Sequence, residues 1–222
     1  MATVGAYIFN LPSPGFNNHI NHIQNGNPWR NREIEEIGQR LVALGNDADP
    51  LAWWKFSRVV CSWGRGMRVW ANYNRLHNAD KNNPNQEIGA MLKNGFLEAM
   101  ALDTPTGVMD HLLNNNALRG FHISYLSKHL RMLQPTQYAV LDSVLVKNTG
   151  FACNKNGYGL FMNSLHNQIA DARQQSGLEF HVSDFEAAIF LLAGGGAGEN
   201  NVPQNHVAYL NDARASVGLQ QI

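Results

Sequence analysis

The chain has 222 residues, 44% of them hydrophobic, and its 17 Lys and Arg are balanced by 17 Asp and Glu, so the formal net charge is zero. That length and apolar content suffice for a sizeable core, whereas a neutral balance argues against dense phosphate binding over the whole surface and leaves room for a local basic rim only. No stretch approaches the roughly 20 apolar residues of a membrane span, the first residues lack a basic-then-apolar export signal, and Cys61 and Cys153 have neither CxxC spacing nor companions. A soluble, cytoplasmic monomer with two buried, unpaired thiols is expected.

Residues 1–30 are rich in Asn, Gly and Pro with scattered apolar residues, which predicts an extended N-terminal arm laid over a single helical domain spanning 31–222. His19 and His22 have H-x-x-H spacing but no Glu or further ligands nearby, so they read as surface imidazoles rather than a metal site. From Asn31 onward Ile34, Ile37, Leu41 and Leu44 share one helical side, and Gly45 can end that helix. Asp49-Pro50 opens a second helix through Val60, which the Trp63-Gly64-Arg65-Gly66 run interrupts. Trp53, Trp54, Trp63 and Trp70 form a dense aromatic set, and Arg58, Arg65, Arg68 and Arg75 recur in the same stretch.

After a polar loop at 82–85, Ile88, Met91, Leu92 and Met100 mark another amphipathic helix, and Thr104-Pro105 opens the next. That helix dissolves in Asn114-Asn115-Asn116. A glycine turn at Gly120 then leads into a run with Ile123, Leu126, Leu130 and Leu133 on one side and Lys128 on the other. Pro135 ends the run, an extended link follows, and Asp142 stands where a side-chain cap starts the next helix. A long helix over 157–174 is predicted to turn Leu160, Leu165 and Ile169 inward. Ser183 and Glu186 have capping-box spacing for a helix ending at Gly194-Gly195-Gly196, which lacks the GK[ST] of a phosphate loop, and a last helix starts near Pro203. The expected class is all-α, with no convincing strand.

The segment LRGFHISYLSKHLRMLQPTQYAVLDSVLV, Leu118 to Val146, carries the most specific signal. Helix, glycine turn, helix with a lysine, proline-bearing link and helix-opening aspartate together resemble the helix-hairpin-helix DNA glycosylases of the 8-oxoguanine branch. Ser127-Lys128, Pro135 and Asp142-Ser143 are especially similar to its small microbial members. The resemblance implies that Gly120 is the hairpin glycine, and that the turn and the following helix start, with His122 and Ser124, meet a DNA phosphate. It places Asp142 at the mouth of the base pocket. One departure stands out: in family members with lyase activity the lysine lies about where Ser124 stands here, one turn before Lys128, a rise of about 6 Å.

By that resemblance the chain would excise a damaged or modified base from double-stranded DNA by nucleotide flipping, with no cofactor. Fission of an N-glycosidic bond leaves positive charge on the sugar, which the Asp142 carboxylate would stabilise. Lys128 as a free amine would form a Schiff base and permit strand cleavage. If the lysine points away, Asp142 would activate water instead, and the sequence does not choose between these routes. Trp54, Trp63 and Phe121 are the candidate base-pocket aromatics. A silent DNA-binding module and a helical protein-interaction domain are the competing functions, the latter favoured by the zero net charge. The glycosylase reading requires Lys128 and Asp142 to share one cleft with an aromatic side chain.

Overall fold

A computed structural model describes residues 2–9, 13–25, 29–195 and 202–222. The described residues among the first thirty are not an extended arm. Strands β1 (Ala2–Val4) and β2 (Tyr7–Phe9) pair antiparallel, Ala2 opposite Phe9, and helix α1 (Pro14–Gln24) follows. Ser13 Oγ caps α1 by accepting the Phe16 N–H at 3.1 Å, and Pro14 occupies the first turn. Phe16, Ile20 and Ile23 are buried, an i, i+4, i+7 stripe that the Asn-rich outer face conceals in the sequence.

Ten more helices are described: α2 (Asn31–Leu44), α3 (Pro50–Trp63), α4 (Met67–Leu76), α5 (Gln86–Met100), α6 (Pro105–Asn114), α7 (Ile123–Leu133), α8 (Ser143–Thr149), α9 (Lys155–Ser176), α10 (Val182–Leu192) and α11 (His206–Ser216). The all-α class therefore holds, with one two-stranded hairpin added. Side-chain caps at Asp49, Asn85, Thr104, Asp142 and Asn154 start α3, α5, α6, α8 and α9 by taking backbone N–H groups that no helical carbonyl can reach.

Helix α3 is buried on nearly every side and packs between α5 and α11, its two cations, Lys55 and Arg58, pairing with Asp212 of α11. Helix α7 is as central. It lies against α2, α3 and α6, and all its residues except Ser124 and Tyr125 are buried. The turn into it needs Gly120, whose φ is +113°, and the glycine backs onto Tyr73 and Leu76 of α4. Helix α1 covers α10, and α6 lies on α9. The Ala6 N–H donates to the Thr149 carbonyl at 2.8 Å, tying the hairpin to the end of α8. No helix among the described residues is long and apolar enough to cross a membrane.

Four local expectations need correction. Leu160 is 61% exposed, because α9 turns Leu165 and Ile169 inward on a face that does not include it. Ser183 and Glu186 are not a capping box. The helix begins two residues earlier, with His181 as its cap, and the His181 N–H donates to Asp184 Oδ2 at 2.9 Å, which frees Glu186 for other work. The last helix starts at His206 rather than near Pro203. Cys61 is buried but Cys153 is exposed, and the two are unpaired.

Candidate functional site

Lys128 is only 8% exposed although it lies off the aliphatic face of α7. Helical side chains lean toward the N-terminus, so a long one reaches the level of the preceding turn. Lys128 does this: its Nζ donates to Ser124 Oγ at 2.9 Å and lies 3.4 Å from the Ser124 carbonyl oxygen. The amine thus reaches the height of the position four residues earlier, offsetting the one-turn displacement noted above. Its stem crosses the Tyr125 ring, with Nζ 5.2 Å from the centroid, and rests on Gly64. Tyr125 in turn donates its hydroxyl to the Gly64 carbonyl at 2.8 Å. Burial pulls the Lys128 ammonium below the usual lysine value, against the opposing pull of Asp142, Glu186 and Cys61.

The link after α7 carries Asp142 to the same place. Ser127 Oγ accepts the Leu141 N–H at 3.2 Å, Glu186 Oε2 accepts the Val140 N–H at 3.2 Å, and the Tyr158 hydroxyl donates to the Ala139 carbonyl at 3.2 Å. An extended segment held on three sides cannot slide, so its end is placed as firmly as a helix. Asp142 Oδ1 then accepts the N–H groups of Val144 and Leu145 at 3.0 and 3.2 Å. Its Oδ2 has no hydrogen-bond partner among the described residues. Lys128 and Asp142 both line one cavity of about 390 Å³, within the size range of small-molecule sites.

The floor of this cavity is a buried charge network. Arg131 Nη2 stands 3.3 Å from Glu35 Oε1, and Arg131 Nε stands 3.7 Å from Glu186 Oε2, but neither contact closes into an aligned hydrogen bond. Arg32 reaches Glu35 at 2.6 Å and Asp184 at 2.7 Å. Arg32 and Arg131 are therefore matched by Glu35 and Asp184, which leaves Glu186 without a cation of its own. Burial pushes the Glu186 carboxyl up to about 8, Arg131 opposing and Asp142 adding to the rise. Burial thus favours the protonated form of the Glu186 carboxyl, able to donate as well as accept, beside the Arg131 guanidinium.

Trp63, Trp29 and Phe190 supply aromatic walls. Trp63 Nε1 donates to Asn31 Oδ1 at 2.7 Å, and the Arg131 guanidinium lies 5.1 Å from the Trp63 ring centroid. Asn31 commits its oxygen to Trp63, so its N–H groups remain for the cavity it lines. Trp54 is not a wall. It precedes Trp63 by nine residues, which at 3.6 residues per turn points it about half a turn away, into the core against Trp70 and Asn74. Phe121 is not a wall either: it stacks on Tyr73 at 4.4 Å and touches His129, bracing the Gly120 turn. His122 is exposed at the start of α7, a terminus with no side-chain cap, and Ser124 is half-buried under the Lys128 amine.

Asn31, Arg131, Glu186 and Phe190 are cavity residues that sequence reasoning missed. Glu186 left one usable trace, since an acid between Phe185 and the apolar run Ala187 to Leu192 has to face a partner or a cavity. Asn31 and Phe190 left none. Compared with family models, curated proteins and solved structures, the chain matches none of them.

Proposed function

We propose that this chain is a DNA N-glycosylase with an associated lyase step, drawing one nucleotide out of a duplex into the cavity beneath α7. The observation that carries the reading is the burial of the Lys128 amine beside Asp142 in a cavity walled by Trp63 and Phe190. Burial favours the neutral, nucleophilic form of the amine. That amine attacks C1′ of the flipped nucleotide while the base leaves with the bonding pair, and the Asp142 carboxylate stabilises the positive charge that builds on the sugar. Loss of the amine proton and opening of the sugar ring give a Schiff base, from which the 3′ phosphate is eliminated and the strand is cut.

The lining also bears on the base. Two guanidiniums, Arg131 and Arg65, and the Lys128 amine face two acids, Asp142 and Glu186, and burial favours the protonated form of Glu186. A cationic alkylated base would be repelled there. A neutral purine with extra carbonyl oxygens, of the 8-oxoguanine kind, offers acceptors to the Asn31 amide and the Glu186 hydroxyl, and a flat face to Trp63. The uncapped start of α7 beside Gly120 is suited to a phosphate of the same strand.

Borohydride added to the protein with an 8-oxoguanine duplex should trap a covalent adduct. Lys128→Gln should abolish the adduct, and Asp142→Asn should slow base release by about 100-fold or more while leaving DNA affinity intact. Trapping that survives Lys128→Gln would move the nucleophile to another amine. Base release without trapping would leave Asp142 acting through water. Binding without release from any lesion duplex would make the chain a non-catalytic DNA-binding module.

A further inference from the structure

Three non-glycine residues among those described have a left-handed backbone: Arg30, Arg65 and Asn78, each with φ of 56°. Asparagine tolerates that region, because its short polar side chain can bond locally; arginine has no such compensation. Arg65 lines the cavity and Arg30 adjoins it along the chain. Arg30 stands between Trp29 and Asn31, two lining residues, and Arg65 lines the cavity itself with its guanidinium 5.2 Å from the Trp29 ring centroid.

Neither arginine is where the backbone would choose it. Arg30 is the N-cap of α2, a position favouring Ser, Thr, Asp or Asn, and its side chain caps nothing. Arg65 occupies the left-handed position of a Gly64-Arg65-Gly66 turn. A Cβ at Gly64 would press on the Lys128 stem and one at Gly66 on the Tyr125 ring, so Arg65 alone in this turn extends a side chain, from a backbone packed against the candidate catalytic lysine. Glycine at either arginine position would adopt the same backbone without strain. What arginine adds is a planar, permanently charged fork; Arg65 is exposed, and Arg30 is exposed with Glu33 in a surface ion pair at 3.1 Å.

The platform beneath Arg65 is itself fixed. His206 is buried with Nε2 3.1 Å from the Trp29 carbonyl oxygen and Nδ1 3.1 Å from Ser62 Oγ. A carbonyl only accepts, so Nε2 carries the proton and the hydroxyl donates to Nδ1. Helix α11 thereby holds Trp29, and Trp29 holds the guanidinium at the cavity mouth.

We propose that Arg30 and Arg65 form a two-pronged phosphate grip at the mouth of the cavity, taking the phosphodiesters on either side of the nucleotide that enters it. The proposal rests on the glycosylase reading and supplies a backbone contact separate from the α7 turn. A guanidinium fork matches two phosphate oxygens, which fixes the register of the strand as well as holding it.

The test is fluorescence anisotropy with a duplex carrying a tetrahydrofuran abasic analogue, read as affinity against salt for wild type, Arg30→Gly, Arg65→Gly and the double variant. Each single variant should melt no lower than wild type, because glycine relaxes the turn. Each should lower the salt slope by about 0.9, so that between roughly 50 and 200 mM salt it loses about 3.5-fold less affinity than wild type, and the double variant about 12-fold less. If a glycine variant melts lower, Arg30→Gln and Arg65→Gln report the same slope without the glycine. Variants that keep the wild-type slope on a duplex that wild type binds would overturn the grip and leave the glycosylase reading standing. A wild-type protein that binds no duplex would overturn both.

Discussion

Gly64→Ala probes how closely the candidate catalytic lysine is held. Gly64 has φ of −76°, so alanine brings no backbone strain. Its added Cβ would lie 2.8 Å from Lys128 Cδ, 3.0 Å from Lys128 Cε and 3.2 Å from Tyr125 Cε1. Tyr125 is anchored through its hydroxyl to the Gly64 carbonyl, so the flexible lysine stem yields, by roughly 0.5–1 Å to regain ordinary contact distances. Because the atoms that move belong to a long side chain, the loss of stability should stay below about 1.5 kcal/mol. The amine, however, leaves its 2.9 Å contact with Ser124 Oγ. A displacement of that size at a nucleophile costs on the order of 100-fold in rate. Single-turnover borohydride trapping on an 8-oxoguanine duplex should show this loss, with thermal melting as the control. Gly15→Ala, whose Cβ would meet only Leu192 at 3.7 Å, should leave trapping unchanged. A Gly64→Ala protein that melts normally and traps at the wild-type rate would refute the argument that the Lys128 position governs the chemistry.

Glu186 predicts a pH dependence of stability. Its folded-state value, about 8, lies above the unfolded one, so between about 4.5 and 8 the native state holds a proton that the unfolded chain has released. Stability should therefore fall as pH rises through that window, by up to roughly 1.4 kcal/mol per unit, and Glu186→Gln should flatten the fall; denaturant titrations of both proteins at pH 5 and pH 8 that fall in parallel would count against a buried, protonated Glu186. Phe16 is fully buried and meets Phe180 and Phe185 edge-on at 5.7 and 6.0 Å, so Phe16→Ala should cost about 3–5 kcal/mol. A melting temperature unchanged by that substitution would mean that α1 is not part of the core.

Much of the fold was legible because its causes are local. Asp49-Pro50, Thr104-Pro105 and Asp142 mark helix starts through a side-chain oxygen two or three residues from the N–H it accepts, and such a contact needs nothing from the rest of the molecule. The pairing of Lys128 with Asp142 was nearly as accessible, since the two are separated by one turn of helix and a short proline-bearing link. Helix α1 was misread for the opposite reason: its apolar stripe is only three residues wide, and what stabilises it is burial against α10, over 150 residues later.

The cavity walls belong to the same class of fact. Periodicity along α3 puts Trp54 and Trp63 about half a turn apart, yet only tertiary packing decides that Trp63 meets Asn31 at a cavity while Trp54 meets Trp70 in the core. Glu186 reads in sequence as part of a helix cap and becomes a cavity carboxyl whose protonated form burial favours, because tertiary packing removes it from water while Arg32 pairs with Glu35 and Asp184. By itself the sequence determined most of the helices after the first thirty residues, the starts that Asp49, Thr104 and Asp142 cap, and the lysine and aspartate that line one cavity. Tertiary structure alone decided what surrounds those two groups, because desolvation and charge balance depend on every element that packs against a site, and not on the one that carries it.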